Sequence, residues 1–160
     1  MSAPRAAAAL RVRGVQAGDL EAVAAIDLEI TRLPKPGYWA EIHRRYGSGR
    51  RRQRFFLVAE ASGRIEGFVI GEVRDWEFGS PPCGWVFAIS VRPGARLAGV
   101  ASRLLQAICA GFARLGVTKV RTLLARDNQL ILSFFRSQGM MAARFIALEL
   151  ELDAAGMEPG

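Results

Sequence analysis

The sequence predicts an α/β domain with one mixed sheet, in two or three layers. Apolar runs at 85–91 and 117–125 are joined by an amphipathic helical segment, which indicates a βαβ unit with parallel strands. Apolar runs at 55–61 and 65–73 are joined by a Ser-Gly pair, a two-residue turn typical of an antiparallel hairpin. The length of 160 residues suits a single domain.

The remaining elements follow from hydrophobic periodicity and from residues that begin or end helices. Asp19 and Asn128 each stand where a helix is expected to begin, ahead of apolar residues at helical spacing. The predicted order is a strand at 10–13, helices at 19–31 and 38–46, strands at 55–61, 65–73 and 85–91, a helix at 98–115, a strand at 117–125, a helix at 127–139 and a strand at 144–152. We expect one domain over 1–160, with frayed tails at 1–9 and 153–160.

Composition narrows the class of protein. The apolar content of 51% excludes a disordered chain, and no apolar stretch is long enough to span a bilayer. The formal net charge is +7, and basic residues concentrate at 44–54. That cluster either binds nucleic acid or another polyanion, or forms a solvated loop. We favour the loop, because no nucleic-acid-binding motif accompanies the cluster.

The two cysteines, Cys83 and Cys109, stand alone in the sequence. They lack the spacing of metal ligands, and unpaired cysteines are typical of a reducing compartment. We therefore expect a cytoplasmic protein without a bound metal.

A glycine-containing turn between the strand at 85–91 and the following helix is the most informative segment. A helix start exposes several backbone N–H groups and a positive dipole end, which together favour a phosphate or pyrophosphate. Gly99 and Ala101 are small enough to let such a ligand approach the backbone. The same small residues also suit close packing of a helix against a strand, and the spacing alone leaves both explanations open.

With its flanking residues, this segment resembles the GNAT superfamily of acyl-CoA-dependent N-acyltransferases. The part similar to the superfamily's pyrophosphate-binding motif is Val91-x-Pro93 followed by Arg96-x-x-Gly99-Val-Ala101-x-x-Leu104-Leu105. A later stretch, similar to a second motif, holds Asn128, Phe135 and Gly139-Met140. The resemblance implies a mostly antiparallel central sheet with helices on both faces and a parallel strand pair that is splayed apart.

The resemblance also implies that acetyl-CoA lies in the cleft at the end of the 85–91 strand. Ile89 and Val91, on either side of Ser90, would pair through their backbone with the pantetheine arm. The segment implied to hold the pyrophosphate is Arg96, Leu97, Ala98, Gly99, Val100, Ala101 and Ser102, and the residues implied to flank the thioester are Asn128 and Phe135. A purely structural explanation is also open for these residues: Ile89 and Val91 could be core residues of the strand, and Asn128 could be a helix N-cap.

The catalytic groups common in this fold are missing from their usual positions. Phe135 stands where a tyrosine acid is common, and Trp85 and Leu123 stand where a base glutamate is common. Positioning of the two reactants can supply roughly 7–11 kcal/mol without such groups. Among the carboxylates near the end of the second hairpin strand, we predict Glu72 as the general base, with Ser90 as a second candidate. A solvated surface carboxylate is the alternative for Glu72.

Four aromatic residues are predicted to contact the acceptor, namely Tyr38, Trp39, Trp76 and Trp85. An aromatic wall suits an apolar or aromatic amine better than a polycation, although tryptophans also fill cores.

The most direct hypothesis is an acetyltransferase that acts on a small-molecule or protein amine. Two other hypotheses stay open: a CoA-binding sensor or partner module without turnover, and a basic module that binds nucleic acid through the cluster at 44–54. A homodimer is common for this fold and is also left open.

Overall fold

The computed structural model describes residues 9–47, 49 and 52–153, and of residues 96–98 the backbone alone. The chain divides into two compact units, residues 1–125 and residues 126–160. The first unit contains a five-stranded sheet. Its strands are β1 (Arg11–Gly14), β2 (Arg54–Ala61), β3 (Arg64–Arg74), β4 (Cys83–Val91) and β5 (Val120–Thr122), and they lie side by side in the order β1-β2-β3-β4-β5.

The predicted mixed sheet is confirmed. Each neighbouring pair is antiparallel except β4 and β5, which are parallel. Ser62 and Gly63 form the two-residue turn between β2 and β3, and both have positive φ, 51° and 73°, as the tight hairpin turn requires. β5 is shorter than the predicted 117–125, because its pairing with β4 stops at Thr122.

Helices cover both faces of this sheet, as expected. They are α1 (Leu20–Thr31), α2 (Tyr38–Ile42) and α3 (Val100–Arg114). On one face, the core cluster joins residues of α1 and α2 to the sheet, and its members are Val15, Val23, Ile26, Trp39, Ile42, Tyr46, Phe56, Val58, Ile65, Phe68 and Ile70. On the other face α3 packs, and the rings of Phe112 and Phe55 meet at 5.2 Å between centroids. The predicted helix at 38–46 ends early, and the chain continues as a π-helical turn over His43–Gly47.

β3 and β4 approach each other closely because β3 carries glycines at the contact points. A Cβ on Gly67 would stand 2.7 Å from the carbonyl oxygen of Ser90, and one on Gly71 would collide with that of Trp85. The pairing also shifts by one residue, since Ile70 faces Ala88 and Gly71 faces Val86. Phe87 is therefore the extra residue of a β-bulge in β4.

The second unit contains helix α4 (Gln129–Ser137), which the side chain of Asn128 caps by accepting a hydrogen bond from the Ile131 amide at 3.2 Å. The prediction of a final strand at 144–152 is wrong for this structure, in which that segment has no regular secondary structure. Alternating apolar residues form a strand only when a neighbouring strand and a buried face hold them. Here the apolar members of the pattern are exposed: Ile146, Leu148, Leu150 and Leu152.

Within the described ranges, no helix is both long enough and apolar enough to cross a membrane.

A buried charge network fixes the start of the first unit. Arg13 of β1 donates two hydrogen bonds to the Asp19 carboxylate, at 2.7 and 3.0 Å, and a third to Glu60 of β2 at 2.9 Å. Asp19 also accepts from the Gln16 amide at 2.7 Å. The hydrogen bonds from Arg13 hold the pKa of Asp19 below its ordinary value. The network therefore ties β1 and β2 to the turn that begins α1.

We expect Asp19→Asn to lower the free energy of unfolding by about 2 kcal/mol at neutral pH, because Arg13 loses its main partner in a half-buried setting. The native pKa of Asp19 is lowered, so its stabilisation is complete above the ordinary carboxyl pKa and disappears as the pH falls through the native value. Urea unfolding at neutral and acidic pH measures both effects. Glu41→Gln is the control, because Glu41 pairs with Arg44 on the exposed surface and its loss should leave stability unchanged. Equal effects of the two variants would contradict this account.

Candidate active site

The site begins where β5 stops and β4 continues. Only Gly84, Trp85 and Val86 of β4 pair with β5, and the last pair joins Val86 to Thr122. At that pair the Thr122 hydroxyl donates to the Val86 carbonyl oxygen at 2.7 Å. From Phe87 to Val91, β4 runs on with no strand along its β5-facing edge in the described part of the first unit. The parallel pair is therefore open at this end, as the resemblance implies.

The open edge presents the main-chain groups of Ile89 and Val91. The carbonyl of Ser90 faces β3 at Gly67, and the amide of Arg92 donates to the Glu66 carbonyl of β3 at 2.7 Å. Because main-chain groups alternate between the two edges of a strand, Ile89 and Val91 direct theirs toward the opening. Ser90 lies opposite Phe68 in the sheet, so their side chains are on the same face. The Ser90 side chain is half-buried.

A helix start follows directly. β4 leads through a 3₁₀ turn at Pro93–Ala98 to Gly99, whose φ of 73° precedes α3. The Arg103 amide donates to the Gly99 carbonyl at 3.1 Å, so the first turn of α3 begins at Gly99. A Cβ added to Gly99 would have no atom within 4 Å. The positive end of the helix dipole and the open space at Gly99 both suit an anion at this point.

Of the other residues predicted to hold the pyrophosphate, the structure describes the side chains of some and not of others. Val100 is buried, and Ala101 and Ser102 are half-buried in the first turn of α3. The side chains of Arg96, Leu97 and Ala98 lie outside the described residues, so the contacts predicted for them stay predictions.

A carboxylate stands near the opening. Tyr46 Oη donates to Glu72 Oε2 at 3.1 Å, and the Tyr46 ring meets that of Phe87 edge-on at 5.2 Å between centroids. Phe87 is the bulged residue just beyond the last β4–β5 pair. Tyr46 therefore links Glu72 to the place where the two strands part.

Two guanidinium groups hold the Glu72 carboxylate. Arg54 Nε lies 3.6 Å from Oε2 and Arg74 Nε lies 3.5 Å from Oε1. Each guanidinium also covers an aromatic ring, with Arg54 5.0 Å above the Tyr46 centroid and Arg74 4.9 Å above that of Trp85. The carboxylate is therefore oriented by three side chains and flanked by aromatic surfaces.

The phenol of Tyr46 remains a donor at neutral pH. Burial, and then the negative charge of Glu72, raise the pKa of Tyr46 above its ordinary value. The hydroxyl therefore keeps its proton and directs it at the carboxylate.

A cavity of about 310 Å³ adjoins this carboxylate. Its lining residues are Arg52, Gln53, Arg54, Glu72 and Val73. The described residues contain no group of three His, Cys, Asp or Glu side chains that could hold a metal ion. Glu72 is the acid–base group among the residues that line the cavity.

The four predicted acceptor residues have different environments. Trp85 opposes Glu72 in the sheet, beneath Arg74, and so belongs to this cluster. Trp39 is buried against Phe56 and Phe68 as a member of the core cluster, and the acceptor contact predicted for it stays a prediction. Tyr38 is exposed beside it, with 5.0 Å between the two ring centroids, and Trp76 is exposed in the loop after β3.

Four members of this cluster are not among the residues predicted from the sequence: Tyr46, Arg54, Arg74 and Phe87. The hairpin turn predicts a partner for Arg54 that is wrong by one residue, because a regular two-residue hairpin would place it opposite residue 71. The bulge at Ala59–Glu60 moves its partner to Glu72. Arg54 and Glu72 thus become cross-strand neighbours through an irregularity that a turn motif does not encode.

Asn128 and Phe135 belong to the second unit. Asn128 acts there as the N-cap of α4, and Phe135 is buried, with 5.1 Å between its ring centroid and that of Phe134. The roles predicted for them beside a thioester stay predictions.

Comparison with known proteins identifies the family. The family model described as "Acetyltransferase (GNAT) family" matches residues 20–140, well over half of the chain. The chain therefore belongs to the GNAT acetyltransferase family, as its resemblance predicted.

Individual relatives are more distant. The chain is 35% identical over 79 residues to an L-2,4-diaminobutyric acid acetyltransferase of Nocardia farcinica, a match that covers 49% of this chain and 39% of that relative. Among solved structures, an aminoglycoside N-acetyltransferase in complex with CoA has a TM-score of 0.80 at 18% identity, covering 94% of this chain and 99% of that one. A Trypanosoma brucei acetyltransferase has a TM-score of 0.68 at 24% identity, covering 89% of this chain and 100% of that one. These structural likenesses show the fold.

We expect Tyr46→Phe to lower the free energy of unfolding by about 2 kcal/mol, because the half-buried Glu72 carboxylate loses a donor while the ring contacts with Phe87 and Arg54 persist. Urea denaturation measures the change. Tyr38→Phe removes a hydroxyl from an exposed tyrosine and serves as the control. If both variants were as stable as the wild type, the hydrogen bond from Tyr46 to Glu72 would make no contribution to the free energy of unfolding.

Proposed function

We propose that this chain is an N-acetyltransferase that moves an acetyl group from acetyl-CoA to a primary amine of a small molecule or protein, by direct attack in a ternary complex. The observation that carries the proposal is the open edge of β4, which leads directly into the helix start at Gly99. A strand-like arm and a diphosphate are the two features of CoA that such an edge and such a helix start accommodate.

The chain's own groups bind the donor. The backbone of Ile89 and Val91 pairs with the pantetheine arm as an added strand would. The start of α3 holds the pyrophosphate, and the positive φ and open space at Gly99 let the ligand reach it. The thioester then comes to the bulge at Phe87, beside Tyr46 and Glu72.

Glu72 acts as the general base. It takes the proton of the acceptor ammonium directly or through one water, and Tyr46, Arg54 and Arg74 fix its orientation. The amine nitrogen bonds to the thioester carbonyl carbon, and the carbon–sulfur bond breaks. The extra proton that the nitrogen then carries goes to the departing sulfur, so that the amide and free CoA thiol are released. A thiolate leaves readily, so positioning accounts for a large part of the rate. Ser90 stays a second candidate for proton transfer.

The comparisons support an amine acceptor in general terms. The Nocardia relative is named as a diaminobutyric acid acetyltransferase and the solved structure as an aminoglycoside N-acetyltransferase, and both of these substrates are amines. The family match over 20–140 spans both units, which supports one domain over 1–160. We propose the cytoplasm as the compartment, because Cys83 and Cys109 are free thiols. The homodimer stays a prediction.

Thiol release from acetyl-CoA, measured with a panel of primary amines, tests the activity. A CoA-binding module without turnover would bind the donor and release no thiol with any amine. A nucleic-acid module would show neither property, and would instead bind DNA or RNA with a steep salt dependence.

We expect Gly99→Leu to abolish measurable binding of acetyl-CoA in calorimetry, because a side chain there fills the space in front of the helix amides. The matched control is Gly116→Leu, since Gly116 has a φ of 80° and its added Cβ likewise meets no atom within 4 Å. Both variants impose the same kind of backbone strain, so a comparable loss of binding in both would refute a diphosphate site at Gly99.

We expect Glu72→Gln to lower kcat by about 10²-fold or more, because the amide keeps the hydrogen bond from Tyr46 but accepts no proton. Glu77→Gln is the control, since it removes a more exposed carboxylate that also pairs with Arg74. A rate for Glu72→Gln equal to that of the control would exclude Glu72 as the base.

A further inference from the structure

We infer that the acceptor carries an anionic oxygen group, a carboxylate or a phosphate, near its reacting amine, and that Arg52 and Arg54 bind this group. The inference rests on the proposed function, and it names the chemical class of acceptor that the same site takes. Its basis is the cavity beside Glu72, whose lining residues include Arg52 and Arg54 together with Glu72.

The surroundings of the cavity are cationic. Arg74 pairs with the lining residue Glu72, and the Arg45 guanidinium lies 5.6 Å from the ring centroid of Tyr46, whose hydroxyl donates to Glu72. In the described part of this cluster, Arg54 and Arg74 pair with Glu72, and Arg74 also pairs with Glu77. A polycationic acceptor would be repelled here, and an acceptor with an anionic group would be attracted.

Arg54 and Arg52 differ in the interactions that they already make. Arg54 is paired with Glu72 and donates to the Arg45 carbonyl at 3.3 Å, so it forms a fixed part of the wall. Arg52 lines the same cavity and is exposed, and within the described ranges no carboxylate lies in ion-pair distance of it. A guanidinium in that position can bind a carboxylate or phosphate through two parallel hydrogen bonds.

The size and arrangement of the cavity define the acceptor further. A volume of about 310 Å³ is at the small end for a small-molecule site. Since Glu72 and Arg52 line the same cavity, an amine at Glu72 and an anion at Arg52 belong to one short molecule. Amino acids with a side-chain amine and small amino phosphates have this chemistry.

Matched pairs of acceptors that differ only in the anionic group test the inference. With acetyl-CoA saturating, kcat/KM is measured for ornithine against 1,4-diaminobutane, for 2,4-diaminobutyrate against 1,3-diaminopropane, and for phosphoethanolamine against ethanolamine. We expect the anionic member of at least one type, carboxylate or phosphate, to be preferred by ~10-fold or more. Whether the carboxylate or the phosphate acceptors are preferred shows which anion the site binds. The preference should become smaller at high salt.

Arg52→Gln should remove most of this preference, mainly through a raised KM for the anionic acceptor. Arg64→Gln is the matched control, because Arg64 is exposed at the opposite end of β3 and its loss changes the net charge equally. Equal or better turnover of the amines without an anion overturns the inference and leaves the proposed function intact. An unchanged preference in Arg52→Gln also overturns it. If no amine releases thiol, the proposed function fails and this inference fails with it.

Discussion

The hydrogen bond from Thr122 to the Val86 carbonyl marks the point on which the site depends. Up to that pair, β4 and β5 form a parallel ladder, and from Phe87 to Val91 no strand of the described first unit lies along this edge of β4. Parallel strands joined by a helix normally continue their ladder and bury both edges. Here the ladder stops early, and the main chain of the strand becomes a surface that an extended ligand can pair with.

The bulge at Phe87 acts together with this separation. It turns the Phe87 ring toward Tyr46 at the place where the strands part, and Tyr46 reaches back to Glu72. Glycines on β3 make the close approach of β4 possible, since Cβ atoms there would meet main-chain carbonyls of β4. The carboxylate, the phenol and the open edge thus come together through backbone geometry as much as through side-chain choice.

The charges at the two ends of the site have different surroundings. At the helix start, backbone amides provide positive potential without any charged side chain having to be placed there. Around Glu72, two guanidinium groups pair with one carboxylate, and each also lies over an aromatic ring. This difference suits a donor recognised through its backbone-like arm and diphosphate, and an acceptor recognised through side chains.

The sequence by itself determined the order of the elements, the hairpin at Ser62-Gly63, the parallel pair and the helix start at Gly99, because periodicity, turn chemistry and glycine conformation are local properties. It also singled out Glu72. Tertiary structure alone decided that Arg54 opposes Glu72, that Tyr46 reaches the same carboxylate, and that Trp39 belongs to the core. A bulge shifts every cross-strand partner beyond it, and contacts between distant segments depend on that register. The alternating segment at 144–152 also depended on tertiary structure, since an apolar pattern becomes a strand only where a partner strand is present.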